Sequence, residues 1–228
     1  MGSQFFIIMF MSITCLTVIP IWMEDFKILF RENHSFIYGL EAYFLSTIII
    51  DIIVMRLVPT SFFIFPYFMI GLGGGSITRG MNFLMILFLI NIAFSGLCMA
   101  VGAMASTAAV ANFIGSFVVQ LLLLSSGFLI NQTAIPKAFL GFVDFLLGKN
   151  GYEALLINEF GGSEREYYFT SHADKDLKVT VSGNKVLSTF GYDPNKIQMN
   201  VIIVLISALA FYTVAFLSLR HRIARPYG

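Results

Sequence analysis

Charge is what this sequence has least of. Of its 228 residues only 12% are Asp, Glu, Lys or Arg, about half the share of a soluble domain. Hydrophobic residues make up 57%, and the mean hydropathy is +0.83. Such a chain lacks the polar surface to cover a soluble core and reads as an integral membrane protein. A net charge of +1 argues against nucleic acid as a partner. The three histidines show no metal-ligand spacing. The two cysteines, Cys15 and Cys98, sit inside apolar runs, so they say little about redox compartment, and the long hydrophilic stretch has none to staple it. No basic residue precedes Lys27, which argues against a signal peptide, and Phe6 stands where a myristoylation signal needs Ser or Thr. No Gly-x-x-x-x-Gly-Lys-Ser/Thr run occurs. Gly71 to Gly75 lacks the lysine and the strand-to-helix setting of a phosphate cradle, and reads as a loop.

What the chain has instead is long apolar runs. Spans are expected over 5–23, 42–72, 81–103, 107–130 and 201–219. The stretch 107–130 carries no charge and is followed by polar Asn131, Gln132 and Thr133 and by Pro136, which cannot continue a helix. The next apolar segment, 138–147, covers only about half the hydrocarbon core at about 1.5 Å per residue, so it should dip in and return through the helix former 151–160. The stretch 42–72 is about 46 Å as one helix and holds Asp51, Arg56, Pro59 and Pro66, so a tilted or kinked helix is expected. Between 24 and 41 a charged loop with a brief amphipathic helix is expected on the membrane surface. In the polar stretch ending near Asn200, 167–169 and 177–181 read as strands and Ser182-Gly183-Asn184 as a turn into Lys185-Val186-Leu187, giving a small β-hairpin. Asn33 and Asn131 begin sequons, one facing the cytosol and one abutting the membrane, so both are poor glycan acceptors.

Several of these segments match one family. "SSGFLINQTAIP", then a short hydrophobic dip, then "YEALLINEFGG", resembles the membrane domain of ABC transporters of the G subfamily, the ABC-2 type exporters. The resemblance continues in order through "VIPIWMEDFKILFREN", "YFLSTIIIDIIVMRLVP", "YFMIGL" and "VSGNKVLSTFG". It implies an all-α integral membrane fold over 1–228, part of an ABC-2 type membrane domain, with five transmembrane helices, a re-entrant helical hairpin and an extracellular loop over 131–199. Family half-transporters carry an ATP-binding domain and then six membrane helices, and residue 1 aligns with the start of the second. ATP and Mg are therefore expected on a separate nucleotide-binding domain, with no cofactor, metal or catalytic residue in this chain.

The resemblance also implies roles. A substrate cavity between two subunits, homodimer or heterodimer, would be lined by Met11, Ile13, Thr14, Ser116, Val119, Gln120 and Leu123. Phe128 and Leu129 match the bulky pair that closes the cavity outward. Glu24, Lys27, Arg31 and Glu32 match the loop on which the ATPase acts. From the residues alone, Gln120 is an amide well inside its helix and suits either an interhelical hydrogen bond or a cavity. Asp51 and Arg56 would each cost about 2.5 to 3.5 kcal/mol in an isolated span. Five residues apart is about 140° on an α-helix, so each is expected to find a separate partner, in structural pinning or in the transport path. Glu153, Asn158 and Glu159 read as structural parts of the re-entrant segment: Glu153 and Glu159 lie on different faces with no nucleophile nearby, and Asn158 should cap the helix end.

The expected function is the membrane-spanning part of an ATP-driven exporter of lipid-like or small amphipathic molecules, embedded among membrane lipids. The alternative is a truncated, non-transporting protein that pairs with and regulates full-length transporters; an independent channel lacks a filter motif or charge ring. Basic residues in short loops place Lys27, Arg31, Arg220, Arg222 and Arg225 inside if residue 1 is outside, leaving Arg79 outside. Membrane-impermeant reagents added outside should therefore reach residues 163–196 and spare 220–228. The opposite labelling pattern reverses the topology.

Overall fold

The computed structural model describes residues 1–34, 39–129, 146–162, 166–170 and 178–224. Two helices, α1 (Gly2–Leu16) and α2 (Val18–His34), follow one another with only Thr17 between them. Next comes α3 (Leu40–Ile50), which runs without a break into a π-helical turn, Asp51–Leu57, and then α4 (Val58–Ser61) and α5 (Ile64–Met69). A 3₁₀ turn, Leu72–Gly75, leads to α6 (Ile77–Met104) and α7 (Ala108–Leu124). Then come α8 (Leu147–Phe160), the strands β1 (Glu166–Thr170) and β2 (Lys178–Ser182), α9 (Gly183–Thr189) and α10 (Ile197–Ala224). Among the described residues four helical stretches are long and apolar enough to cross a membrane: Gly2–Glu32, Leu40–Met69, Ile77–Met104 and Pro194–Ala224. Ala108–Leu124 is a shorter apolar helix. This is an integral, multi-pass membrane protein.

The helix ends differ from the expected ones for local reasons. Charged residues 24–32 do not form a loop; they lie on α2, which alternates buried Trp22, Phe26 and Leu29 with exposed Glu24, Lys27 and Arg31, a helical spacing that lets one face pack and the other meet water. The glycine loop is shorter than expected, since Ser76 is extended and α6 starts at Ile77, so that Arg79 and Gly80 are already helical. Thr107 caps α7, its hydroxyl accepting from the Val110 N–H at 3.4 Å. The same helix stops at Leu124, six residues before the apolar run does, and Gly127 takes φ 92°, a left-handed conformation that breaks the ladder. Strands β1 and β2 pair antiparallel with Glu166 opposite Ser182 and Thr170 opposite Lys178. Ser182-Gly183-Asn184 is not a turn between strands: Ser182 is the extended residue before α9, and Lys185-Val186-Leu187 is helical, with Val186 and Leu187 buried and α9 against α8. Tertiary burial overrides the strand preference of valine there.

The core is built on α6, which packs against α1, α2, α7, α8 and α10. Half of its buried residues are small, among them Ala93, Ser95, Gly96, Cys98, Ala100, Gly102 and Ala103. Small residues let helices approach closely in a membrane, where packing rather than water expulsion drives association. A methyl at Gly96 would sit 3.2 Å from the Tyr212 ring of α10. At one end of the molecule, Trp22, Phe26 and Phe44 pack with Met99, Ala103, Ala215 and Leu219. There Arg222 donates to the Ala103 carbonyl at 3.1 Å, satisfying a C-terminal carbonyl of α6 that has no partner within the helix. At the other end, where α1, α6 and α10 begin and α7 finishes, α8 is buried along its whole length.

The backbones of α7 and α8 come close together: a methyl at Gly148 would collide with the Leu122 carbonyl. Backbone cannot move aside as a flexible side chain can, so Gly148→Ala should lower stability by about 1 to 3 kcal/mol. Thermal unfolding in detergent measures this, and an unchanged midpoint would show that the two helices separate freely.

Candidate functional site

The π-helical turn decides the polar interior. In a turn whose hydrogen bonds run from i to i+5, residues five apart are stacked, and Arg56 Nη2 lies 3.0 Å from Asp51 Oδ1, with Nε at 3.1 Å from the same oxygen. The expectation of separate partners rested on α-helical geometry and is corrected: the two residues are each other's main partner. The wide turn lies just before Pro59, whose ring lacks an N–H and crowds the preceding turn. Both side chains are buried, at 4% and 3% exposure.

The remaining hydrogen-bonding capacity of the pair recruits other helices. Asp51 Oδ2 accepts from the Ser95 hydroxyl of α6 at 2.5 Å and from the Tyr212 hydroxyl of α10 at 3.4 Å. Arg56 Nη1 donates toward Cys15 Sγ of α1 at 3.0 Å and Asn91 Oδ1 of α6 at 3.4 Å. Asn91 in turn donates to the Thr60 hydroxyl at 3.1 Å and accepts from the Cys15 thiol at 3.2 Å. Sequence reasoning found the two charges and missed Cys15, Thr60, Asn91, Ser95 and Tyr212. Asn91 was accessible to the criterion that selected Gln120, an amide inside a charge-free apolar run.

Of the residues expected in a cavity, Met11 and Thr14 line a 240 Å³ cleft together with Phe10, Arg56, Pro59 and Asn91. The first span and the ion pair thus share one site. Val119 and Leu123 are buried inside the chain, Ser116 is half-buried, and Ile13 and Gln120 are exposed on the outer faces of α1 and α7. Phe128 stacks on Phe5 with ring centres 4.6 Å apart and meets the edge of Tyr152, while Leu129 is exposed. Both lie beyond the helix end rather than in its last turn. Glu24, Lys27 and Arg31 are on the exposed face of α2, and Glu32 is half-buried. Asn131 to Pro136 and 138–145, the start of the expected dip, lie outside the described residues.

The α8 residues act as ties. Both Glu159 carboxylate oxygens accept from the Gly73 N–H at 2.8 Å, and one lies 3.4 Å from the Tyr67 hydroxyl. Gly73 has φ 64°, and a Cβ there would strike the Tyr67 hydroxyl, so only glycine fits. Asn158 does not cap its own helix; it donates to the Arg79 carbonyl at 3.0 Å. Arg79 supplies the cap instead, donating to the carbonyls of Glu159 at 2.8 Å and Gly161 at 3.4 Å. Glu153 accepts from the Asp193 N–H at 3.4 Å. Burial pushes its carboxyl above the usual range, and Lys149 pulls it back.

A model of the family described as ABC-2 type transporter matches residues 1–160, and the chain belongs to that family. Among curated relatives it is similar to ABC transporter G family member 24 of Dictyostelium discoideum, 30% identical over 220 residues, which are 96% of this chain and 19% of that protein. The broad substrate specificity ATP-binding cassette transporter ABCG2 of Rattus norvegicus is 26% identical, over 96% of this chain and 34% of its own length. Protein white of Drosophila melanogaster is 26% identical over 91% of this chain and 30% of its own. The chain thus spans about a fifth to a third of the length of these relatives.

Removing one partner from the ion pair leaves a buried charge uncompensated. Asp51→Asn or Arg56→Ala should each cost about 3 to 5 kcal/mol, and the double variant less than the sum. Arg79→Ala should have a smaller but measurable effect, because it uncaps α8. Folded yield and thermal midpoint of the variants test this, and strict additivity at positions 51 and 56 would dissolve the pair.

Proposed function

We propose that this chain is the membrane-spanning part of an ATP-driven ABCG-type exporter of lipid-like or amphipathic molecules, working as a dimer, with Ala108–Leu124 as its fifth span and the nucleotide-binding domains outside this sequence. The observation that carries the reading is Gln120. It lies on the outer face of α7 among exposed Val110, Phe113, Phe117, Leu121 and Leu124. An amide facing hydrocarbon lacks hydrogen-bond partners, which favours a protein or water-filled neighbour there. A second subunit meeting this face and the exposed Phe6, Phe10 and Ile13 stripe of α1 would enclose a cavity that also takes in Thr14 and Ser116. Met11, Val119 and Leu123 would then form its supporting wall. Alternating access would move substrate from this cavity past Phe128 and Leu129, an apolar constriction that excludes water without a charge. The exposed charges of α2 would receive the ATPase stroke.

Co-expression with a nucleotide-binding partner and ATP-dependent flux in vesicles test the reading. Gln120→Leu should reduce flux several-fold with normal assembly. Phe128→Ala with Leu129→Ala should uncouple the two activities, so that ATP hydrolysis persists or rises while export falls. A parallel loss of both activities with loss of folded protein would mean that the pair only packs the helix end, and unchanged export would remove it from the path.

A further inference from the structure

The chain leaves α7 through a carbonyl that the helix cannot satisfy. Ser126 is buried, at 1% exposure, and stands one residue before Gly127, whose φ of 92° turns the backbone out of the helical ladder. A buried carbonyl in that place needs a donor from elsewhere. The Tyr192 hydroxyl supplies it, donating to the Ser126 carbonyl at 3.0 Å from the connector between α9 and α10. Tyr192 is itself buried.

The connector is held on three sides. Towards α9, the Tyr192 N–H donates to the Leu187 carbonyl at 3.0 Å and the Gly191 N–H to the Ser188 carbonyl at 3.1 Å. Towards α8, the Asp193 N–H donates to the Glu153 carboxylate at 3.4 Å. Towards α10, the Asp193 carboxylate accepts from the Asn195 N–H at 3.1 Å and caps the 3₁₀ turn Pro194–Lys196, which runs into that helix. The Tyr192 hydroxyl is therefore delivered from a fixed support. Its ring also meets the edge of Tyr152, with centres 6.4 Å apart, and Tyr152 meets the edge of Phe128 at 6.1 Å. Tyr192 thus grips the backbone just before Gly127 and backs the side chain just after it.

We propose that Tyr192 is the positioning residue of the outward gate: by holding the Ser126 carbonyl it fixes where Phe128 and Leu129 leave α7, and the gate opens when this hydrogen bond breaks. The role of Phe128 and Leu129 comes from the transport reading, whereas the tie is a property of the chain alone. Ring contacts tolerate sliding, but a hydrogen bond is directional, so the hydroxyl is what returns the segment to one closed position. A single such bond has a small net worth and can break in every cycle.

Tyr192→Phe removes the hydroxyl and keeps the ring. The full chain, assembled with a nucleotide-binding partner in nanodiscs, is compared with this variant by hydrogen–deuterium exchange and by export per ATP hydrolysed. Exchange over 125–129 should rise about fivefold while α6 and α10 keep their protection, and export per ATP should fall. Tyr67→Phe, which deletes a hydroxyl bonded to Glu159 instead of α7, should leave exchange over 125–129 unchanged. Unchanged exchange over 125–129 in folded Tyr192→Phe overturns the tie, and so does a rise spread evenly over all helices. If Phe128→Ala with Leu129→Ala lowers export per ATP and Tyr192→Phe does not, the gate stands and Tyr192 does not position it. If neither lowers it, the gate reading fails and the role of Tyr192 with it. Should Tyr192→Phe not fold, 4-aminophenylalanine at position 192, a weaker donor on the same ring, takes its place, and unchanged exchange over 125–129 again overturns the tie.

Discussion

An ion pair held away from water sets the terms for the rest of this molecule. Asp51 and Arg56 together are neutral, but each retains hydrogen-bonding capacity that hydrocarbon cannot satisfy. Ser95 and Tyr212 take up the carboxylate, and Cys15 and Asn91 take up the guanidinium. Each of those bonds brings in a further helix, so that one charge pair ties α1, α3, α6 and α10 to a common point. Apolar packing along α6 is extensive but permits sliding. The polar knot supplies direction, because a shift of one turn would leave the carboxylate or the guanidinium without its hydrogen-bond partners on the neighbouring helices.

Four of the five expected spans were legible as long apolar helices, because an apolar run of sufficient length has few other fates, and the order of motifs identified the family. The ends were less so, since caps and single backbone angles set them. Ile130 is as apolar as Leu124, yet Gly127 closes the helix between them. The π-helical turn left no mark in composition, and without it the spacing of Asp51 and Arg56 pointed to two separate partners. Lys185 to Leu187 read as a strand from its own residues and became a helix through burial against α8. Of the expected cavity residues, Gln120 could be singled out by chemistry alone, whereas the orientation of Val119 and Leu123 depends on how α7 is rotated, which an apolar run with no polar stripe does not encode.

Two arginines illustrate how one residue type carries two messages. Arg79 and Arg222 enter a topology argument as charges that prefer one side of the membrane. In the structure each also closes a neighbouring helix: Arg79 the end of α8 and Arg222 the end of α6. A basic residue near a membrane surface is well suited to this, since its long stem reaches from the interface to a carbonyl that the helix leaves open.

The burial of α8 on every side has a consequence for biosynthesis. Lys149, Asn150, Glu153, Asn158 and Glu159 are all enclosed, and part of that enclosure comes from α10, which leaves the ribosome after α8. Until α10 inserts, a helix dense in polar side chains has one flank uncovered at the membrane boundary. The segment before α10 must therefore wait in a half-assembled state, open to quality-control factors. Premature termination before residue 197 would leave that flank permanently bare, making α10 a checkpoint on the assembly of α8 as well as a membrane helix.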